Sequence, residues 1–362
     1  MPSPYQRDLF RALHADGRMQ IRVLYYTASA TDRNWTPASL SAYEDILPGG
    51  TIGWLGTSAH LNPKVLNALK AQDYDVCVVG DYSAPTTQLA MRVLSFCNKP
   101  WVFWGELPGL NERGRLGSVV RDFLLRPVSK SAAAIAAIGS DACKAYATIA
   151  PNTLIMNIPY FCDLAAFRAA ATRKEMRTKK TVDVLFSGQL IERKGVDLLL
   201  TAFAQAAAVI PNLHLQLLGT GPAAESLAKQ ADQDFRDRVH FLGFHQPEAI
   251  PDIFAAADIF VLPSRHDGWG VVVNEALGAG LPIIVSDRVG ARDLVESGRN
   301  GFIIPAGDIA GLAGALVELG RSSNLRETFG RHSTTRSAQW DVDQGVRRWV
   351  ELIDEVMMRR PQ

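Results

Sequence analysis

Short apolar runs ending in glycine or a polar residue alternate with amphipathic segments along nearly the whole chain. This alternation limits the fold more than any other feature, because strands separated by helices pair in parallel and are covered on both faces. In the first half, Gln20–Tyr26, Asp75–Gly80, Trp101–Trp104 and Ala133–Gly139 read as strands, and Gln6–Leu13 and Ala142–Ile149 as helices. A second series starts near Thr181, with strand Val182–Gly188, helix Val196–Ala208, a strand ending at Gly219, helix 223–231 and strand VHFLG. Helix 248–256, strand DIFVLPS, helix 271–279 and strand PIIVSD continue it. Asn300-Gly301 reads as a tight turn before FIIPAGD, and Asp308 as the N-cap of a helix over Ile309–Leu319. The expected fold is α/β with two Rossmann-like domains, residues 1–170 and 171–339. Charged residues from Arg168 to Lys180 lack apolar periodicity and suit an exposed linker. Val346, Val350, Ile353 and Val356 form one stripe of a final helix, Val342–Met358, and the segment 340–362 is expected to pack back on the first domain.

The 362 residues, 47% hydrophobic and 21% charged, suffice for two ordinary cores. A formal net charge of +1 argues against a dedicated nucleic-acid binder. Cys77, Cys97, Cys143 and Cys162 show no C-x-x-C pair or zinc spacing, and they read as buried reduced thiols. No apolar run reaches the roughly 20 residues of a membrane span, and Pro2–Tyr5 leads directly into a helix pattern rather than a signal peptide. A cytoplasmic protein is expected, soluble or peripheral on a membrane face.

The chemistry concentrates in Pro263–Gly280, PSRHDGWGVVVNEALGAG. A strand ends, a glycine-flanked bend follows, and a helix opens near Val271. Ligands of open parallel sheets bind at the carboxyl ends of strands. Backbone N–H groups of Gly268-Trp269-Gly270 at a helix start suit a diphosphate. Asp267 precedes the bend and Glu275 lies within the helix; each carboxylate can accept two hydrogen bonds from vicinal hydroxyls. Taken alone, Asp267 is as well a turn or capping residue, and Glu275 a solvated helix carboxylate.

These residues sit in a larger pattern. Asp267-GWGVVVN-Glu275, followed by Ala276, Gly280 and Pro282, resembles the E-x7-E donor motif of glycosyltransferase family 4. Val289–Asp308 resembles that family's G-G-x-x-E…G-x-x-G run, and Phe186–Phe203 its G-R-L-x-x-x-K-G element. LLGTGP, 217–222, and VHFLGF, 239–244, fall at the expected places. The resemblance covers nearly all of 180–310 and implies the GT-B architecture, two Rossmann-like domains facing across a cleft.

By that resemblance, Lys194 holds the donor diphosphate, Glu275 the ribose, and Asp267 the donor-sugar hydroxyls. The N–H groups of Gly268, Trp269, Gly270 and Val271 touch the sugar and β-phosphate. Gly188, Gln189, Arg193, Gly219 and Gly221 line the nucleotide pocket. Two departures stand out. Asp267 is a methylene shorter than the family's glutamate, and Gln189 replaces an arginine, for which Arg193, Arg265 or Arg292 can substitute. Gly219-x-Gly221-x-x-Ala224 also approaches a dinucleotide fingerprint, but the next strand lacks the acid that a nicotinamide cofactor requires.

In the first half, strand ends place Glu106, then Asp81 and Tyr82, as acceptor-side candidates, with Glu106 nearest the reaction centre. As structural alternatives, Asp81 caps a helix and Glu106 pairs with an arginine. Arg113, Arg115, Arg121, Arg126 and Lys130 make a basic face suited to an anionic membrane or lipid diphosphate, or simply to solvent. Trp35 and Trp340 read as packing residues. Similar proteins begin with a strand before a Pro-Ser-Pro-Tyr-like loop. Here the loop is at Met1–Tyr5, so either the start is set late or the first sheet lacks a member.

The implied activity is retaining transfer of a sugar from a UDP- or GDP-linked donor to a hydroxyl of a glycan, lipid-linked or small-molecule acceptor, in bacterial polysaccharide or glycolipid synthesis. No metal or other cofactor is expected. The alternatives are a sugar-nucleotide epimerase or phosphorylase, and an inactive or weak nucleotide-sugar-binding subunit.

Overall fold

A computed structural model describes residues 1–28, 39–51, 60–70, 74–109, 114–173, 180–231 and 236–359. The expectations for Trp35 and Arg113 lie outside them. The chain divides into unit 1, Met1–Phe161 with Val342–Gln362, and unit 2, Cys162–Asp341.

Unit 1 opens with helix α1 (Pro4–Asp16), which buries Leu9 and Leu13. Strands β1 (Val23–Tyr25) and β2 (Glu44–Ile46) pair in parallel, and β3 (Gly50–Thr51) with β4 (His60–Leu61) antiparallel. After α2 (Val65–Lys70) come β5 (Cys77–Gly80), α3 (Pro85–Phe96), β6 (Trp101–Gly105), α4 (Arg115–Ser131), β7 (Ala134–Ala137), α5 (Ser140–Ile149) and β8 (Leu154–Asn157). The four strands β5-β6-β7-β8 form one parallel sheet in that order. β6 and β7 are buried at every residue, as a sheet covered on both faces requires. Alanines serve in β7 because helices press closely on both sides.

Unit 1 also contains a buried ion pair. Glu44 accepts from the Arg7 guanidinium at 2.7 and 2.9 Å, the Tyr25 hydroxyl at 2.7 Å and the Ser41 N–H at 2.8 Å. Burial pushes this carboxyl up, but those donors outweigh it and hold it at about 2. The pair ties α1 to the β1–β2 sheet.

Unit 2 begins with α6 (Ala165–Arg173), followed by β9 (Val182–Ser187), α7 (Val196–Val209), β10 (Leu213–Leu218), α8 (Ala224–Ala231) and β11 (Val239–Gly243). Then come α9 (Ile250–Ala256), β12 (Ile259–Leu262), α10 (Val272–Gly278), β13 (Ile283–Ser286), β14 (Gly301–Ile304), α11 (Ile309–Arg321) and α12 (Ser323–Ser337). All six strands are parallel, in the order β11-β10-β9-β12-β13-β14. The order reverses between β9 and β12, which opens a crevice at their carboxyl ends. Asp308 caps α11 by accepting from the Gly311 N–H at 2.9 Å.

Three sequence expectations are corrected. Arg168 is no linker residue: α6 packs on α9 and α10, and Arg168 is ion-paired with Asp341. The turn before β14 centres on Gly298, at φ +79°. Gly301 is instead a strand residue whose Cβ would stand 1.9 Å from the Ile283 carbonyl oxygen. Among the thiols, only Cys162 is fully buried, and Cys97 is exposed at the end of α3. The last helix, α13 (Val342–Met358), lies in unit 1 against α1, with Trp349 edge-on to Trp104 at 5.3 Å.

Candidate active site

The carboxyl ends of β9 and β12 bring the donor-side residues together. A single 3-10 turn, Glu192–Lys194, follows β9 and closes at Gly195 with φ +69°. A Cβ on Gly195 would stand 2.4 Å from the Pro263 carbonyl oxygen, so only glycine lets this turn lie against the end of β12. The Arg265 N–H then donates to the Arg193 carbonyl at 2.8 Å. This docking sets the Lys194 ammonium beside Asp267, with Nζ 2.5 Å from Oδ2 and both side chains 11% exposed. Arg193 donates to the other carboxylate oxygen at 3.3 Å and to the His266 carbonyl at 3.1 Å.

Asp267 is held from the other side by the loop after β13. Its N–H donates to the Arg288 carbonyl at 2.9 Å, and its carbonyl accepts from Gly290 at 3.1 Å. The bend follows at once. Gly270 has φ +94°, and a Cβ there would sit 3.4 Å from Asp267 Oδ2, so the bend and the ion pair share one site. The N–H groups of Gly268, Trp269, Gly270 and Val271 meet no acceptor among the described residues. The Trp269 ring, in contrast, is a core group. It is 1% exposed, its Nε1 donates to buried Asn274 at 2.9 Å, and it packs on Trp340. Only its backbone remains available to a ligand. Glu275 is half-buried in the first turn of α10.

The glycines on the β9 and β10 loops have structural reasons. Gly219, at φ +134°, approaches so closely that a Cβ would stand 1.9 Å from the Gly188 carbonyl oxygen. One on Gly221 would stand 2.4 Å from the Leu190 carbonyl oxygen. The Leu190 N–H bonds the Thr220 carbonyl at 2.9 Å, locking the two loops back to back beside half-buried Gln189. Of the three arginines that can stand in for the missing one, Arg193 is at the ion pair. Arg265 is committed to Asp197 at 2.6 and 2.8 Å, and Arg292 reaches the Asp287 carbonyl.

Sequence reasoning missed His266 and Asn274. Burial, then the Arg193 charge, pushes the His266 imidazole below its usual range. Its only signal was its place before Asp267. Asn274, the buried partner of Trp269, was legible as a polar residue on an otherwise apolar helix face.

In unit 1, Asp81, Tyr82 and Glu106 stand at the ends of β5 and β6 and line one groove. Asp81 has φ +74°, and its carboxylate accepts from the Ser83 N–H at 2.8 Å and Ala84 N–H at 3.2 Å, just before α3. It is therefore a helix-entry residue. Tyr82 packs on Phe103. The Glu106 carbonyl accepts from the Tyr146 hydroxyl at 2.8 Å. Burial, then the nearby Glu106 charge, holds the Tyr160 hydroxyl well above its usual range. Among the described residues, no three His, Cys, Asp or Glu side chains gather to hold a metal, and no helix is long and apolar enough to cross a membrane.

Residues 168–336 match the family Glycosyl transferases group 1. The match takes in nearly all of unit 2, including the β9 and β12 loops and the helices that support them. An α-D-kanosaminyltransferase of Streptomyces kanamyceticus is 30% identical over 168 residues, 45% of this chain and 44% of the relative. A GDP-mannose-dependent α-(1-6)-phosphatidylinositol monomannoside mannosyltransferase of Mycobacterium tuberculosis is 27% identical over 278 residues, 72% of this chain and 69% of the relative. The chain thus spans less than half of the first relative. The sucrose-phosphate synthase structure from Thermosynechococcus elongatus superposes with a TM-score of 0.79 at 21% identity, covering 98% of this chain and 93% of that one. Anabaena HepE in complex with UDP gives 0.69 at 22%, with 86% of each covered. The chain therefore has the fold of these solved structures, the GT-B architecture.

Proposed function

We propose that the chain transfers a sugar, with retention, from a UDP- or GDP-linked donor to a hydroxyl acceptor in glycolipid or polysaccharide synthesis. The observation that carries this reading is the Lys194–Asp267 pair beside the unsatisfied amides of Gly268–Val271. A diphosphate placed there meets Lys194, Arg193 and those amides, while Asp267 faces sugar hydroxyls and Glu275 the ribose. As the bond from the anomeric carbon to the phosphate oxygen breaks, charge grows on that oxygen. Prearranged cations and N–H groups stabilise it. The acceptor oxygen attacks from the same face, and its proton passes to the departing phosphate. Such charge compensation needs no metal. Relatives named as a kanosaminyltransferase and a GDP-mannose-dependent mannosyltransferase support this over the epimerase, phosphorylase or inactive-subunit alternatives.

Glu106 and Tyr82 in unit 1 are the acceptor-side candidates; Asp81 acts there through the loop it holds. A lipid-linked acceptor finds support on α4. Val119, Phe123, Arg126 and Lys130 share one helical stripe at spacings of four and three, with Val119 64% and Phe123 59% exposed. Phe96, on neighbouring α3, is 92% exposed. Apolar side chains beside cations fit the surface of an anionic bilayer. A thermal-shift screen of UDP- and GDP-sugars, followed by transfer assays with the best one, tests the donor site. No stabilisation by any of them would sink it.

A further inference from the structure

His266 sits among the donor-side contacts, and its main chain is fixed on both sides. Arg193 donates to its carbonyl at 3.1 Å. The Arg265 N–H before it donates to the Arg193 carbonyl at 2.8 Å, and the Asp267 N–H after it to the Arg288 carbonyl at 2.9 Å. The imidazole itself is half-buried, and its nitrogens meet no hydrogen-bond partner among the described residues. A ring held this closely to an ion pair, yet bonded to nothing, is available to a ligand.

The charged groups that act on this ring are Arg193 and Lys194, of the turn after β9, and Asp267, next in the chain. Arg265 is turned to Asp197 of α7, and Arg288, after β13, meets the segment through its carbonyl. Burial, then Arg193, holds the imidazole below its usual range; Asp267 opposes them and Lys194 adds to them. The ring is therefore mostly neutral at pH 7 while the site is free. Two cations and one carboxylate leave one net positive charge beside it. The diphosphate of a sugar nucleotide brings two negative charges, so its arrival turns the local balance to one net negative. Among these side-chain types, histidine is the one that gains a charge readily near neutral pH.

We propose that His266 is a further donor-binding residue, which takes up a proton when the diphosphate of a sugar nucleotide enters beside Lys194 and so becomes a third cation around it. This rests on the donor reading of the site. The proton comes from solvent and returns there when the nucleotide leaves, and no covalent bond to the ligand forms. The anion strengthens the ring's hold on its proton, so the proton strengthens the site's hold on the anion by the same factor. Charge on the bound ring is lost as pH rises through its bound-state value. Donor affinity is therefore greatest in mild acid and falls toward pH 8.

The test is calorimetry of the full chain with UDP-glucose and GDP-mannose. Their phosphates are diesters and stay ionised throughout, whereas the end phosphates of UDP and GDP themselves titrate at about pH 6. The nucleotide that binds is expected to gain about five- to tenfold in affinity from about pH 8 to about pH 5.5. Near the middle of that range about half a proton is taken up per bound ligand, read in buffers of different ionisation enthalpy. His266→Gln should cut the uptake to less than about a tenth of a proton and hold the pH dependence within about twofold. Equal uptake in parent and variant would overturn the inference, as would binding to the parent without uptake. If His266→Gln does not fold, the ring resonances of His266 in the parent decide by NMR. Their titration midpoint must move to higher pH when the nucleotide is added, and an unmoved midpoint overturns the assignment. Failure of both nucleotides to bind at any pH sinks the donor reading itself, and this inference with it.

Discussion

Lys194→Ala is the sharpest test of the donor site. Lys194 Nζ lies 2.5 Å from Asp267, and Arg193 is 3.3 Å from the same carboxylate, so two cations face one anion. Removing the lysine takes the local charge from one net positive to zero where a diphosphate is to sit. A unit charge about 4 Å from a phosphate is worth roughly 4 kcal/mol at an effective dielectric near 20. Part of that attraction is already spent on Asp267, so a loss of ~3–4 kcal/mol is expected, a fall of about 10²–10³ in kcat/KM. Asp267 keeps Arg193, so the fold survives and Tm drops by only a few degrees. The companion Asp267→Asn frees Lys194. It should tighten binding of UDP or GDP by several-fold while lowering kcat, because the sugar hydroxyls lose the charged carboxylate and one of its two acceptor oxygens. Steady-state kinetics with the preferred donor, and calorimetry with UDP and GDP, read both effects. If Lys194→Ala stays within threefold of the parent in kcat/KM and in nucleotide affinity, Lys194 does not face the diphosphate.

Gly219→Ala forces a Cβ to within 1.9 Å of the Gly188 carbonyl oxygen at a backbone angle of +134°, so the two loops must part. A cost of about 2 kcal/mol or more is expected in denaturant melts, with a raised donor KM. Glu44 has a folded value of about 2, below its ordinary carboxyl range, so its contribution is complete above pH ~4.3 and is lost as pH falls toward 2. Glu44→Gln should cost ~3 kcal/mol at pH 7 and flatten that acid limb, read by urea melts from pH 7 to 2.5. Phe123→Asp should abolish sedimentation with vesicles containing phosphatidylglycerol, and Arg126→Glu with Lys130→Glu should weaken it most at low salt, where the parent's attraction is least screened. Unchanged binding in both would remove α4 as a membrane face.

The parallel sheets were legible because their cause is local. Runs such as Ile259–Leu262 and Ile283–Val285 are apolar at every position, as a strand covered on both faces requires. The bend at Gly268–Gly270 and the cap at Asp308 were legible for the same reason, since glycine and short acids act on neighbouring peptide groups. Helix α4 was not. Gly117 and Pro127 interrupt its pattern, and its exposed Val119 and Phe123 oppose the usual polarity of an outer face. The second half of α6 read as a linker because Arg168 and Arg173 hide how Phe167 and Ala170 are buried within unit 2.

The sequence by itself determined the strand–helix alternation, the loops that follow β9 and β12, and the kinds of residue those loops carry. Tertiary structure alone decided that Lys194 meets Asp267, that Arg193 rather than Arg265 joins them, and that the Trp269 ring belongs to the core. The lysine and the aspartate stand 73 positions apart in the chain. Their encounter depends on β9 and β12 becoming neighbours and on Gly195 admitting the Pro263 carbonyl, and no pattern within one segment encodes the distance between two others.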